Sequence, residues 1–253
     1  MSDYDRNVAA SGRGFATDRA LAIDAGLRAH MLRVYNYMAG AVALTGVVAW
    51  VTFQMATTTT AGGGLALTPF GHALFGSPLM WVLVLAPLAL VFFISYRIEH
   101  MQAGTALALF LGYAALLGVS LATIFLVYTH ASITRVFFIS AASFGALSLY
   151  GYTTKRDLSA MGSFLMMGLF GIIIASIVGI FWHSTALQFA ISVVGVLVFA
   201  GLTAWDTQKI KEMYDVHDDG TVAGRKAVMG ALSLYLDFIN LFLMLLRLFG
   251  DRR

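Results

Sequence analysis

Seven stretches of this chain are long and apolar enough to cross a bilayer, and that feature decides what it can fold into. They run over Val34–Phe53, Leu79–Tyr96, Thr105–Tyr128, Ile133–Tyr152, Met161–Phe181, Leu187–Trp205 and Val228–Phe249. A helix needs about 20 mostly apolar residues to span about 30 Å of hydrocarbon. Transmembrane strands would instead read as segments of about ten residues alternating in polarity. Runs such as MWVLVLAPLALVFFISY do not alternate, which excludes a β-barrel. Composition agrees, with 59% of residues hydrophobic and 11% charged, where a soluble domain carries about 25% charge. A soluble enzyme and a disordered chain are therefore excluded. A net charge of only +3 makes no basic stripe for nucleic acid. The chain has no cysteine, so thiolate catalysis, zinc-thiolate and iron–sulfur sites are excluded too. The expected fold is all-α, a polytopic membrane protein of seven transmembrane helices.

The links between spans are short. The longest uncharged one, Met55–Pro78, carries TTTTAGGG and reads as a flexible loop or a short re-entrant cap. The link between spans six and seven, Lys209–Ala227, is the most charged piece. No Pro- or Ser-rich linker separates two domains, so the chain divides into a polar N-terminal tail, residues 1–28, and a transmembrane domain, residues 29–253. The tail has no apolar stretch of its own and is not read as a cleaved signal peptide. Residues Thr17 to Leu32 read either as an amphipathic interfacial helix with Leu21, Leu27 and Leu32 inward, or as a partly disordered tail. With the N-terminus inside, twelve Lys and Arg fall on the cytoplasmic side and four (Arg135, Arg247, Arg252, Arg253) on the other. The positive-inside rule therefore favours a cytoplasmic N-terminus. Three of the four outside arginines sit at the C-terminus and would count as inside if the last segment turned back. Ala231–Phe249 has no Gly or Pro for such a turn, so a full seventh span with the C-terminus outside is expected.

Most ionisable residues sit at span ends, where long side chains reach the interface. Asp237, about ten residues inside the last span, and Asp206, near the inner end of the sixth, depart from that pattern. An aspartate at the centre of a membrane helix costs about 2.5–3.5 kcal/mol on insertion scales, so it must face protein or water. Gly230, Ser233, Asp237, Asn240, Met244 and Arg247 recur at intervals of three or four and share one helix face. That narrow polar stripe in a wide apolar surround suits a helix packed centrally in the bundle and looking into a cavity. Ser192, Gly195, Phe199, Thr203 and Asp206 make a weaker stripe on the sixth span. Plainer readings exist: Asp206 beside Trp205 as an interfacial residue, Asp237 in a structural hydrogen bond to Asn240, and Arg97, Arg135 and Arg247 as topology anchors. His100, His130 and His183 fall at span ends with no metal-ligand spacing. If Asp206 and Asp237 meet, two carboxylates in low dielectric cannot both ionise cheaply. Sharing a proton, the pair latches two helices; without it, the pair attracts Arg97 or binds a hard cation through its oxygens.

The block AWDTQKIK, followed by LSLYLDFINLFLMLLRL, closely resembles the transmembrane Bax inhibitor motif family (Bax inhibitor-1 and its bacterial relatives), and the likeness extends over about residues 20–250. The resemblance implies seven helices with the last wrapped by the other six. It implies a pH-sensitive calcium leak channel controlled by two aspartates on helices six and seven, which match Asp206 and Asp237. An arginine of the second helix that latches the pair matches Arg97. From the stripe of the last span, Ser233 and Asn240 are the supporting polar residues; no cofactor is expected, and the resemblance makes calcium and protons the ions handled.

The same residues bear on other functions. A non-conducting regulator bound to another membrane protein, such as a membrane protease, is the alternative. A retinal photoreceptor needs a lysine within the last span, and the nearest, Lys226, lies outside it. An aspartyl protease of the GxGD type needs a glycine beside its aspartate, and the contexts TAWDTQ and LYLDFI have none. The chain is thus expected not to be an enzyme. Compact loops, no cysteine and twelve Arg against four Lys point to a bacterial inner membrane.

Overall fold

The computed structural model describes residues 3–60, 64–182 and 184–253, with side chains from residue 24 onward. In chain order it contains α1 (Asp3–Ala56), β1 (Thr57–Thr59), β2 (Leu65–Leu67), α2 (Pro69–Phe75) and α3 (Leu79–Arg97). After a 3-10 turn at Ile98–His100 come α4 (Ala103–Leu121), α5 (Ile124–Val127), α6 (His130–Thr153), α7 (Ser159–Phe181), α8 (Thr185–Glu212) and α9 (Gly220–Phe249). Among the described residues seven helices are long and apolar enough to cross a membrane: α1 from Asp24, α3, α4 with α5, α6, α7, α8 and α9. Each corresponds to one of the seven stretches legible in the sequence. Local chemistry sets several starts. Thr129 accepts the Ser132 amide before α6, Ser184 the Leu187 amide before α8, and Asp219 the Thr221 and Val222 amides before α9. Each cap satisfies donors that a helix start otherwise leaves unpaired.

Three pieces differ from their expected form. The Met55–Pro78 segment carries regular elements. β1 and β2 pair antiparallel in the register Thr57↔Leu67, Thr58↔Ala66 and Thr59↔Leu65, and α2 follows with Thr68 as its cap. β-branched threonines suit an extended pair; residues 61–63 lie outside the described set. The charged link between the last two spans shrinks to 213–219. Lys209, Lys211 and Glu212 belong to α8, and Arg225 and Lys226 to α9. Nothing in Lys209–Glu212 breaks a helix, and lysines in the last turn complement the negative end of the helix dipole. Finally, α1 is continuous through the boundary between tail and first span. Leu27 is half-buried and Leu32 exposed, so Leu32 does not face inward; the side chain of Leu21 is outside the described set, as is His183.

Helix α9 is the axis of the bundle. Of its span 72% is buried, against 33% or less for each of the other six. It packs on α8, α1, α6 and α4, while α3 lies outside on α4 and α7 outside on α8. Tyr235 of α9 is fully buried, its ring edge-on to Phe110 and Tyr113 of α4. Its hydroxyl lies 2.7 Å from that of Thr45 on α1, which donates to the Ala114 carbonyl of α4 at 2.9 Å. One chain of hydroxyls thus joins three helices where no water is available.

Small residues set the closest crossings, as expected where packing rather than hydrophobic transfer drives helix association. A Cβ at Gly151 of α6 would run into the Ala204 carbonyl of α8. A Cβ at Gly162 of α7 would run into the Trp205 ring. Replacing Gly151 with alanine must therefore push α6 from α8, and overpacking of this kind costs about 1–3 kcal/mol. The expected result is a lowered thermal midpoint of the detergent-purified protein; an unchanged midpoint would show that the crossing is loose.

A carboxyl pair between the last two spans

The aspartates of the two sequence blocks meet. Ile210 of α8 packs level with Gly230 of α9. From that level Asp206 is four residues inward and Asp237 seven, or about 6 and 10 Å along antiparallel helices. Side chains span the difference, and the two carboxyl groups are neighbours on the cavity that both border. A carboxylate only accepts hydrogen bonds, so a hydrogen bond between the two groups requires a proton on one of them. Asp237 is buried, at 4% exposure, and its Oδ2 has no further partner among the described residues. Asp206 is half-buried. Asn240 does not satisfy Asp237: its amide donates to the Leu236 carbonyl at 2.8 Å, leaving its own carbonyl oxygen available.

Cavities flank the pair. One of about 690 Å³ is bordered by Asp206, Asp237, Ser233, Asn240 and Met244, with apolar walls from α7 and Leu88 of α3. A second, of about 600 Å³, opens at the charged end between Ser95, Ile98 and Glu99 on one side and Arg225 and Lys226 on the other. The two share Asp206, Lys209 and Ser233. A third, of about 560 Å³, lies at the opposite end and shares Ser176 and Ile180 with the first. The polar stripe of α9 therefore lines three cavities in succession: Gly230 and Ser233, then Asp237, Asn240 and Met244, then Arg247.

Arg97 is not with the pair. It ends α3 as an exposed residue, beside the Ser95 and Ile98 that line the charged-end cavity, and among the described residues it makes no ion pair. The cation that borders Asp206 is Lys209, one turn along the same helix, its ammonium 5.1 Å from the Trp205 ring centroid. Nearby acids are engaged elsewhere. Asp218 pairs with Lys226 at 2.6 Å and Asp219 caps α9. Asp215 accepts the backbone amide of His217 at 2.9 Å, which with the His217 ring holds its carboxyl below the usual carboxylate range.

Every member of the AWDTQKIK block after its first alanine has a contact that places the pair or its surroundings. Trp205 covers Gly162. Thr207 bonds Ser148 at 2.9 Å, and Ser148 in turn bonds Tyr35 of α1 at 2.6 Å. Gln208 accepts the Leu158 amide and donates to the Arg156 carbonyl, both at 2.8 Å, fixing the α6–α7 turn. Lys211 donates to the Tyr152 carbonyl at 2.9 Å.

Two residues escaped the sequence reading. Lys209 is recoverable from its spacing, since residues three apart on a helix share a face. His30 is not. It is buried on α1 with Nε2 unpartnered, its ring 5.8 Å from that of Tyr214 in the α8–α9 link, a neighbour no spacing signals. His100 and His130 are exposed at helix ends.

Among the described residues no three His, Asp or Glu side chains converge as a metal centre. A cation at the pair would be held by the two carboxyl groups, the Ser233 hydroxyl and the Asn240 carbonyl, with water completing the shell. A shared proton should give a protonated-carboxyl stretch in infrared difference spectra between mildly acidic and mildly alkaline pH. Asp237→Asn is expected to abolish that band; its persistence in both Asp237→Asn and Asp206→Asn would place the proton elsewhere.

Residues 27–253 match the family described as inhibitor of apoptosis-promoting Bax1. An uncharacterised protein of Rickettsia prowazekii is 45% identical over 253 residues, with all of both chains covered. The inner membrane protein YbhL of Escherichia coli is 46% identical over 232 residues, 90% of this chain and 94% of the relative. An uncharacterised protein of Caulobacter vibrioides is 44% identical over 256 residues, again with both chains fully covered.

Proposed function

We propose that this chain, which belongs to the Bax inhibitor-1 family, is a proton-controlled calcium leak channel of an inner membrane, with Asp206 and Asp237 as its gate and its cation site. The observation that carries this reading is the contact between the two carboxyl groups at the junction of two cavities. A carboxyl pair placed there is reachable from the charged end and buried enough for its charge to matter.

The protonation state sets the geometry. While the pair shares a proton it holds α8 to α9, Arg97 stays outside, and α3 stands off from the pair with cavities beside it. Loss of the proton leaves two adjacent carboxylates whose repulsion in a low dielectric is relieved by an incoming cation. Arg97 ends the helix that walls both cavities, so drawing it inward brings α3 onto α8 and α9 and closes the route. Flux is therefore highest when the pair holds its proton and falls as pH rises. Two carboxyl groups and two neutral oxygens fall short of the six to eight ligands calcium prefers, which makes a weak site of about 10⁻⁴–10⁻³ M, suited to passage rather than storage. The distribution of Lys and Arg supports an N-terminus on the cytoplasmic side, with the α8–α9 link facing the same way. The channel performs no chemical conversion.

Calcium entry into dye-loaded proteoliposomes tests this. The parent is expected to leak more at mildly acidic than at mildly alkaline pH. Asp237→Asn should lose the pH dependence, and Arg97→Gln should remain leaky at alkaline pH. No flux above empty liposomes from folded protein would overturn the channel and turn the search to a membrane-protein partner.

A further inference from the structure

The cavity at the end of the bundle farthest from the α8–α9 link has a chemistry unlike the rest. Arg247 and Arg252 border it together with Tyr128, Ser176, Thr185 and Gln188, and no acidic residue lines it. Among the described residues neither guanidinium makes an ion pair. The one acid close in sequence, Asp251, is bound to Arg135 at 2.8 Å. Two guanidinium groups on one cavity without an acidic lining attract an anion that can take their paired N–H donors.

The site is built rather than accidental. Residues after α9 are strapped along the turn between α5 and α6. Thr129 donates its amide to the Asp251 carbonyl at 3.1 Å, Arg253 donates its amide to the Val127 carbonyl at 3.0 Å, and Arg252 bridges Tyr128 in antiparallel fashion. The Asp251 amide donates to Ser132 Oγ at 2.8 Å. Arg252 is thereby held against the cavity that Arg247 enters from the last turn of α9.

Depth and walls identify the anion. Phe181 and Trp182 end α7 beside this cavity at 84% and 72% exposure, and aromatic residues at helix ends mark the headgroup level of a bilayer. Ile180, Phe189 and Leu248 make its apolar wall, and it shares Ser176 and Ile180 with the cavity that borders the carboxyl pair. A phosphate bound by guanidinium forks, with an apolar chain leading into that space, satisfies both halves. We infer that the cavity between the ends of α7, α8 and α9 binds an anionic phospholipid, its phosphate on Arg247 and Arg252 and one acyl chain along α7. The phosphate site itself uses neither aspartate.

The test is native mass spectrometry of the purified full chain equilibrated with equal amounts of phosphatidylglycerol and phosphatidylcholine, alongside thermal midpoints with each lipid. The parent should retain phosphatidylglycerol in preference and be stabilised by it. Each arginine at a charged lipid surface strengthens binding about fivefold, so Arg247→Gln with Arg252→Gln should weaken retention roughly 25-fold. Arg247→Lys with Arg252→Lys keeps the charge and should retain part of it, which separates lost charge from lost folding. Equal retention by parent and double glutamine variant would overturn the site. Displacement of phosphatidylglycerol by inorganic phosphate, with equal stabilisation, would overturn the lipid assignment in favour of a free anion.

Discussion

The energetic constraint on which this architecture depends is the cost of a carboxyl group in hydrocarbon. Asp237 lies midway along α9, where exposure to lipid would cost about 2.5–3.5 kcal/mol even on the mildest scale. Placing α9 at the axis removes that exposure for Asp237 and, with it, for Ser233 and Asn240 on the same stripe. Centrality in turn requires neighbours on most sides, which α1, α4, α6 and α8 supply. It also requires a partner for the carboxyl group, which Asp206 supplies.

Around that axis the fold separates into a tied interior and a looser exterior. Hydroxyl chains stitch the inner helices: Tyr235 to Thr45 and Ala114 across α9, α1 and α4, and Tyr35 to Ser148 and Thr207 across α1, α6 and α8. Each such bond in a membrane is worth only about 0.6 kcal/mol on average, so it is their concentration in five helices that fixes the interior. Helices α3 and α7 bury only 17% and 11% of their spans. Neither is a main neighbour of α9, and the three cavities all lie where one of these two helices meets α8 and α9. Structural slack is thus located next to the carboxyl pair of Asp206 and Asp237.

Some of the site was legible before any coordinates. Asp206 and Asp237 stood out because charge inside an apolar run is expensive, and the α9 stripe stood out because residues three and four apart share a face. Other parts left no local signal. The meeting of the two aspartates depends on how far α8 and α9 continue past the membrane, and the charged link looked like loop because charge was read as absence of helix. Arg97 drew notice as a charge at a span end, yet its direction follows from where α3 stands relative to α8. His30 was passed over because its neighbour Tyr214 lies in a different part of the chain.

The sequence by itself determined the number of helices, their order and the face of α9 that must be hidden. These follow from hydropathy, helical periodicity and the cost of polar groups in lipid, all of which act along a single segment. Only the tertiary structure decided that Arg97 stands away from the pair, that three cavities follow the α9 stripe in succession, and that Arg252 is strapped beside Arg247. Those outcomes depend on distances between segments far apart in the chain, and such distances are set by side-chain packing at crossings such as Gly151 on Ala204. No single helix carries that information.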